Sequence, residues 1–227
     1  MPRHTRAVFS GLPHHVTQRG NHRDRVFFSK GDEKAYLSLL HAYATYNEVQ
    51  VVAYCLMPNH VHLVVVPRIA AGLHLALRSV HSQYAQRINR MRVQKGHLWQ
   101  GRYFSSPLDA NYFRNAVRYV ELNPVRAGMV ARAEEYAWSS AAAHCGQRYD
   151  PLVALHQFAD LLPLASGWAR WLAAGIPVDA LNDLRKHGQR NLPCGSTEFV
   201  SKLEGSVGRD LRFRARGGQP RKGRASA

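Results

Sequence analysis

Two short segments of this chain carry the side chains best suited to chemistry. The first holds His60 and His62, separated by one residue, and the second holds Tyr119 and Asn123, four residues apart. Together they supply two imidazoles, one phenol and one amide oxygen. An attack of tyrosine on a phosphodiester, assisted by a divalent metal ion, requires groups of these types.

The two histidines are predicted to lie on one face of a strand. Side chains alternate between the faces of a strand, so His60 and His62 project the same way, with Cα atoms roughly 7 Å apart. The apolar run 63–66 continues the strand and predicts a central position in a sheet. Two histidines satisfied by hydrogen bonds at a strand end are the alternative, because an HxH motif alone is a weak signal.

The tyrosine is predicted to lie on a helix over residues 111–122. Apolar residues recur there with helical periodicity, at Phe113, Val117 and Val120. Tyr119 and Asn123 share another face of this helix.

The helix is expected to end near Asn123, because Pro124 disfavours the α conformation in the residue before it. Tyr112 lies on nearly the same face as Tyr119, but the residue four positions after it is Ala116, which cannot bind a metal. Tyr119 is therefore the better nucleophile.

Several separated blocks of sequence resemble one family of proteins. The blocks are 15–21 (HVTQRGN), 25–28 (RVFF), 53–63 (AYCLMPNHVHL), 98–104 (LWQGRYF), 119–128 (YVELNPVRAG) and 136–140 (YAWSS). In these blocks the chain resembles the single-tyrosine HUH transposases, and within them the branch associated with repetitive extragenic palindromes (REP). The resemblance covers about residues 8 to 145.

The resemblance implies a role for each motif residue. His60 and His62 match the metal-binding histidines, Tyr119 matches the nucleophile, and Asn123 matches the third ligand, which is glutamine in some relatives. It also implies cleavage of single-stranded DNA next to a hairpin through a 5′-phosphotyrosine link, with later rejoining of strands. The implied cofactor is Mg²⁺ or Mn²⁺, which suits nitrogen and oxygen donors without thiolate.

Composition points to the same partner. The chain of 227 residues has 31 Lys and Arg against 15 Asp and Glu, a formal charge of +16, which favours binding to nucleic acid. No apolar span or secretory signal is found, so no membrane partner and a cytoplasmic location are expected. Three widely spaced cysteines form neither a disulfide framework nor a CxxC site.

The coarse pattern predicts an α+β fold with a ferredoxin-like or palm-like antiparallel sheet and helices on one of its faces, the HUH nuclease fold. Asp32 is the expected N-cap of the first helix, and residues 57–59 are the expected turn of a hairpin. The predicted strands are 14–18, 25–28, 50–56, 60–66 and 103–106, and the predicted helices before the tyrosine helix are 32–46 and 73–92.

Three regions are expected along the chain. Residues 1–149 form the catalytic domain, residues 150–208 a small helical region, and residues 209–227 a basic tail that is disordered when free. Helices are predicted at 152–164, 168–174, 178–187 and 197–207. Both a helix-turn-helix DNA reader and a bundle packed on the catalytic domain remain open for this region.

Candidate DNA contacts lie near the matching blocks. Trp99 and Tyr103 are candidates for stacking an unpaired base, with core packing an equal alternative for Trp99. The basic candidates for phosphate or base contacts are Arg19, Arg23, Arg25, Arg102 and Arg126.

Two alternatives to the nickase remain at the level of sequence. One is a hairpin-binding protein that has lost its chemistry. The other is a metal-dependent phosphodiesterase that uses water as the nucleophile, which would tolerate loss of Tyr119. The sequence leaves open whether the protein is a monomer or a homodimer.

Overall fold

The centre of the protein is a four-stranded antiparallel sheet. The computed structural model describes residues 6–153 and 160–212. Strand order across the sheet is β2-β3-β1-β4. The strands are β1 (His14–Arg19), β2 (Val49–Met57), β3 (His60–Pro67) and β4 (Phe104–Pro107).

Helices cover both faces of this sheet. Helices α1 (Lys30–Tyr46) and α2 (Ala70–Met91) share a hydrophobic core with one face, and α3 (Ala110–Glu121) shares a second core with the other. The α+β prediction is therefore confirmed, but the expectation of helices on one face alone is wrong. The physical reason is that β2 and β3 are apolar on both faces, so each face must be buried.

The hairpin of β2 and β3 fixes which face carries the histidines. Met57 pairs with His60 across a two-residue turn, as the Pro58-Asn59 sequence predicts. His60 and His62 alternate with Val61 and therefore face α3, whereas Val61 enters the core with α1 and α2.

The beginning of α1 differs from its prediction. The N-cap is Ser29, and Asp32 is the third residue of the helix, where its Oδ2 accepts from the backbone N–H of Ser29 at 2.9 Å. This is a reciprocal capping box, which the sequence Ser-x-x-Asp also fits. Residues 25–28 form a loop instead of the predicted strand, because the N–H of Val26 bonds to the carbonyl of Pro58 in the hairpin turn.

The region after residue 150 packs on the tyrosine helix. Its helices are α6 (Ala165–Ala173), α7 (Val178–Gly188) and α8 (Thr197–Val207), which follow the short helices α4 (Asn123–Arg126) and α5 (Ala141–His144). Trp168 and Leu184 lie in one hydrophobic cluster with Phe113 and Val117 of α3. The helices therefore pack on α3, as one of the two predicted alternatives expects, and the division of the chain at residue 150 stays a prediction.

Parts of the predictions lie outside the described residues. These are the middle of the expected helix 152–164, at 154–159, and the basic tail from residue 213 onward. The described ends of that segment, 152–153 and 160–164, are not helical: Val153 forms an isolated parallel bridge with Val51, and the other residues are turns and irregular structure. Among the helices that the structure describes, none is long and apolar enough to cross a membrane.

Candidate functional site

The two histidines of β3 lie together at one end of the sheet. The rings of His60 and His62 are edge to face, with centroids 4.8 Å apart. Nδ1 of His60 donates to Oδ1 of Asn59 at 2.6 Å, while the amide of Asn59 donates to the carbonyl of Arg23 and so fixes its own orientation. This arrangement leaves Nε2 of His60 with its lone pair.

A third histidine, His15 of β1, stacks on His62. The ring centroids are 5.3 Å apart, and Nε2 of His15 lies 3.0 Å from Nδ1 of His62. If Nδ1 of His62 donates this bond, its Nε2 is free to bind a metal, and His15 acts as the acceptor. Outer partners of this kind orient the histidines of metal sites. The sequence alone does not indicate this role, since His15 lies on a different strand from His62 and is distinguished in the sequence only as part of the matching block 15–21.

All three imidazoles are held neutral. Burial lowers the pKa of His60 to about 4, with a further contribution from the positive charge of Arg19. Burial and then the charge of Arg126 lower the pKa of His15 to about 4. The pKa of His62 also lies well below its usual value, first because of burial and then because His60 is near. Neutral rings at physiological pH keep the lone pairs that a metal needs.

Tyr119 of α3 faces these rings. Its ring centroid lies 5.4 Å from that of His62 and 5.4 Å from that of His15, and the residue is 8 % exposed. Asp109 caps the helix by accepting from the N–H of Tyr112, which fixes where α3 begins. The guanidinium of Arg126 covers the Tyr119 ring at 4.3 Å.

Asn123 begins α4, immediately after a break in the helical chain at Leu122. Its amide nitrogen donates to the carbonyl of Tyr119 at 3.1 Å, and its Oδ1 accepts from Arg126 at 2.8 Å. The amide oxygen therefore uses one of its two lone pairs for Arg126, which leaves the other for a metal. Helix α3 ends at Glu121, two residues before Asn123, which agrees with the predicted helix end near Asn123.

These side chains line one cavity of about 310 Å³. Its walls include His15, His60, His62, Tyr119 and Asn123, so every predicted catalytic and metal-binding residue meets the same space.

The opposite wall comes from the C-terminal region. Leu184, Arg185 and Gly188 of α7, with Gln189 after it, line the same cavity. Sequence reasoning missed these residues because they lie beyond the matching blocks. The signal available was the basic last turn of α7, which holds Arg185, Lys186 and His187.

The basic candidates separate into groups. Arg19 and Arg23 line the cavity, Arg102 lies at a second cavity beside it, and Arg126 packs behind Tyr119. Arg25 instead donates from Nε to the carbonyl of Phe27 at 3.4 Å.

The two aromatic candidates are buried. Trp99 and Tyr103 lie in the core with α1 and α2, and Nε1 of Trp99 donates to the carbonyl of His81. Their placement supports core packing for Trp99. Trp99 lines neither cavity, whereas Tyr103 lines the second cavity with Arg6 over its ring.

The donor set for a metal is mixed. Within residues 6–153 and 160–212, no group of three or more His, Cys, Asp or Glu is arranged to hold a metal ion. The cavity instead offers two imidazole nitrogens and one amide oxygen, from two histidines and an asparagine. These three donors fit a divalent cation that completes its shell with substrate and water oxygens.

Fold and site together define an α+β protein with a histidine and tyrosine cavity at one end of its sheet. Residues 8–123, just over half of the chain, match the family described as IS200-like transposases. The chain belongs to this family, which confirms the resemblance at that level and places the protein among DNA-binding proteins of transposition and recombination.

Comparison with solved structures supports the fold. The REP-associated tyrosine transposase bound to a REP hairpin is similar with a TM-score of 0.56 and 16% identity, over 68% of this chain and 91% of that chain. A protein of Deinococcus radiodurans described as a transposase has 18% identity over 56% of this chain and 92% of its own, with a TM-score of 0.36. A search of curated proteins finds no match.

Proposed function

We propose that this protein cuts and rejoins single-stranded DNA next to hairpins, with Tyr119 as nucleophile. The observation that carries the proposal is the meeting of Tyr119 with His60 and His62 in one cavity, from a helix and a strand far apart in sequence. Chance placement of a tyrosine beside an HxH pair is a weak explanation in a chain of the transposase family.

In the proposed reaction the phenol oxygen of Tyr119 attacks the scissile phosphorus. A bond forms between that oxygen and phosphorus, the bond to the 3′ oxygen breaks, and the phenol proton is lost as the 3′ oxygen gains one. The products are a 5′-phosphotyrosine link and a free 3′ hydroxyl. Reversal by another 3′ hydroxyl rejoins DNA without an external energy source, because the phosphodiester is conserved in the link.

His60, His62 and Asn123 would hold the divalent ion, Mg²⁺ or Mn²⁺. When bound, the ion polarises phosphoryl oxygens and assists the departing oxygen. The chain itself supplies neutral imidazoles, oriented by Asn59 and His15, and an amide oxygen that Arg126 holds in place through one of its two lone pairs.

The charge of the chain and its structural similarity to a hairpin-bound transposase support hairpin DNA as the substrate class. The chain carries a formal charge of +16, and Arg19 and Arg23 border the cavity. The structure with the similar fold is of a transposase bound to a REP hairpin. We extend this binding mode to the present chain as part of the proposal.

The test uses labelled single-stranded hairpin oligonucleotides from the DNA that flanks the gene, with Mg²⁺ or Mn²⁺ and denaturing gels. Wild type should form a metal-dependent adduct that survives detergent, and Tyr119→Phe should form none. Tyr112→Phe, on the same helix, is the matched control and should retain the adduct. Cleavage without an adduct in wild type and Tyr119→Phe alike would favour the water-using phosphodiesterase, and hairpin binding without any cleavage would favour a binding-only protein.

A further inference from the structure

A second cavity adjoins the first one along the sheet. It has a volume of about 420 Å³ and lies toward the edge strand β4. The two cavities are direct neighbours, because five residues line both of them. The shared residues are Gln18, Arg19, Gln100, Phe104 and Gln189.

Phe104 occupies a distinctive position among these shared residues. It pairs across the sheet with Thr17, and Thr17 pairs with His62, so the three side chains form one row on the face of the sheet that carries Tyr119. Two strand spacings separate Phe104 from His62, roughly 10 Å at Cα. The side chain is partly open, since Phe104 is 37 % exposed.

The lining of the second cavity is basic. Arg6, Arg19, Arg102 and Arg190 border it, and no Asp or Glu is among the described residues that line either cavity. Arg6 is fixed in place, because its guanidinium lies 3.9 Å from the Tyr103 ring centre and its Nε donates to the Tyr103 carbonyl. A polyanion is the ligand that such a lining fits.

We propose that the second cavity binds an unpaired nucleotide next to the scissile phosphate, with its base stacked on Phe104 and its phosphate among the arginines. The proposal rests on the proposed function, since the scissile phosphate is placed at Tyr119. Tyr103 also lines this cavity, but it is buried and Arg6 covers its ring, whereas Trp99 lines neither cavity. Phe104 is therefore the more accessible aromatic side chain for this contact. The nearby Gln189 gives the C-terminal region a share in this nucleotide site.

The first test measures binding of fluorescein-labelled dA12 by anisotropy, with the full chain in EDTA so that no cleavage occurs. Stacking on an aromatic side chain is strong enough that Phe104→Ala should bind about 10-fold more weakly. Phe28→Ala is the matched control, since Phe28 is 38 % exposed, borders neither cavity and packs under Arg92. Phe104→Trp should restore the affinity.

A direct readout of stacking uses dA12 with one adenine replaced by 2-aminopurine. Binding to wild type should quench its fluorescence, and Phe104→Ala should lose this quenching while Phe28→Ala keeps it. Equal affinity and equal quenching for these two variants would overturn the nucleotide site.

The two proposals fail separately. If wild type forms the covalent adduct but Phe104→Ala binds dA12 as tightly as wild type, the nucleotide site is wrong and the nickase stands. If wild type forms no adduct but Phe104→Ala binds more weakly and loses quenching, the nickase is wrong, and the second cavity remains a binding site for an unpaired nucleotide.

Discussion

At the scale of single residues, the site depends on the protonation of buried rings. The hydrogen bond between His15 and His62 can form in two ways: Nδ1 of His62 donates to Nε2 of His15, or Nε2 of His15 donates to Nδ1 of His62. Only the one in which His62 donates from Nδ1 presents a free Nε2 to the cavity. His15 is therefore a positioning residue in the proposed metal site, although it need not touch the ion itself.

Replacing His15 should weaken metal binding. His15→Phe keeps an aromatic ring against His62 and Tyr119 but removes the acceptor at Nε2. Loss of an outer partner lowers metal affinity by about 10- to 100-fold, and isothermal titration with Mn²⁺ measures it. His15→Gln retains an acceptor and should recover part of the affinity. Wild-type Mn²⁺ affinity in a folded His15→Phe variant would contradict this role.

The neighbouring His14 predicts how stability responds to pH. Its Nδ1 donates to the carbonyl of Leu12 at 2.8 Å, and its Nε2 accepts from the N–H of Phe9 at 3.2 Å. A proton on Nε2 would remove that acceptor, and burial lowers the pKa of His14 to about 4. The unfolded chain, with a pKa near 6.5, then binds the proton more tightly than the folded chain does.

The contribution of His14 to the free energy of unfolding is therefore fully present above pH 6.5 and is lost as the pH falls toward 4. At pH 5 the loss from His14 is about 2 kcal/mol, since each pH step below the unfolded pKa costs about 1.4 kcal/mol. Urea unfolding at pH 7 and pH 5 measures the difference. His14→Gln should show a pH difference smaller by about that amount, and an unchanged difference would show that His14 titrates normally in the folded protein.

At the scale of secondary-structure elements, α3 is fixed at its end by a buried carboxylate. Glu121 accepts from Nε1 of Trp168 at 2.7 Å and from Oγ of Ser140, and Nδ1 of His144 lies 2.5 Å from its Oε1. The carboxylate thereby joins α3 to α5 and α6. Because Tyr119 lies two residues earlier on α3, this network also holds the nucleophile in place.

Loss of one donor in this network should destabilise the protein. Trp168→Phe keeps most of the packing but leaves a buried carboxylate oxygen without its N–H partner, at a cost of about 1–3 kcal/mol. The midpoint of urea unfolding measures the loss. Trp171→Phe is the control and should lose less, since Trp171 lies on the same helix with its ring edge to face against Trp168 at 5.0 Å. Equal losses would show that packing, not the hydrogen bond, accounts for the effect.

The elements best predicted from sequence are those with local signals. The hairpin of β2 and β3 follows from apolar strands around Pro58-Asn59, and the stripe of Phe113 and Val117 gives α3 its buried face. The prediction of Asp32 as the N-cap of α1 is wrong, because Ser29 is the N-cap. Acidic residues are favoured both at the N-cap and at the third position of a capping box, where Asp32 lies.

Contacts between distant segments had no local signal. The stacking of His15 on His62 depends on the register of β1 against β3, and the exposed Phe104 depends on the register of β1 against β4. A single sequence specifies the alternation of side chains in each strand but not the partner of each residue. The wall from α7 depends on tertiary packing alone.

At the scale of the whole molecule, the division at residue 150 is a prediction that the packing makes testable. Phe113 and Val117 of α3 are fully buried, and Trp168, Leu172 and Leu184 lie in the same cluster. A fragment of residues 1–149 would expose this face of the tyrosine helix to water. The hydrophobic core around α3 therefore includes residues beyond position 150, although the matching sequence blocks end near residue 145.

The fragment 1–149 should fold poorly by itself. Burying one large apolar side chain contributes about 1.5–3 kcal/mol, so loss of contacts from several of them consumes much of the 5–15 kcal/mol that stabilises a typical domain. Circular dichroism and urea unfolding of this fragment, beside a chain ending at residue 212, make the comparison. The longer chain should unfold cooperatively and the fragment should not; cooperative unfolding of both would establish residues 1–149 as an independent domain and leave α7 as a removable wall of the cavity.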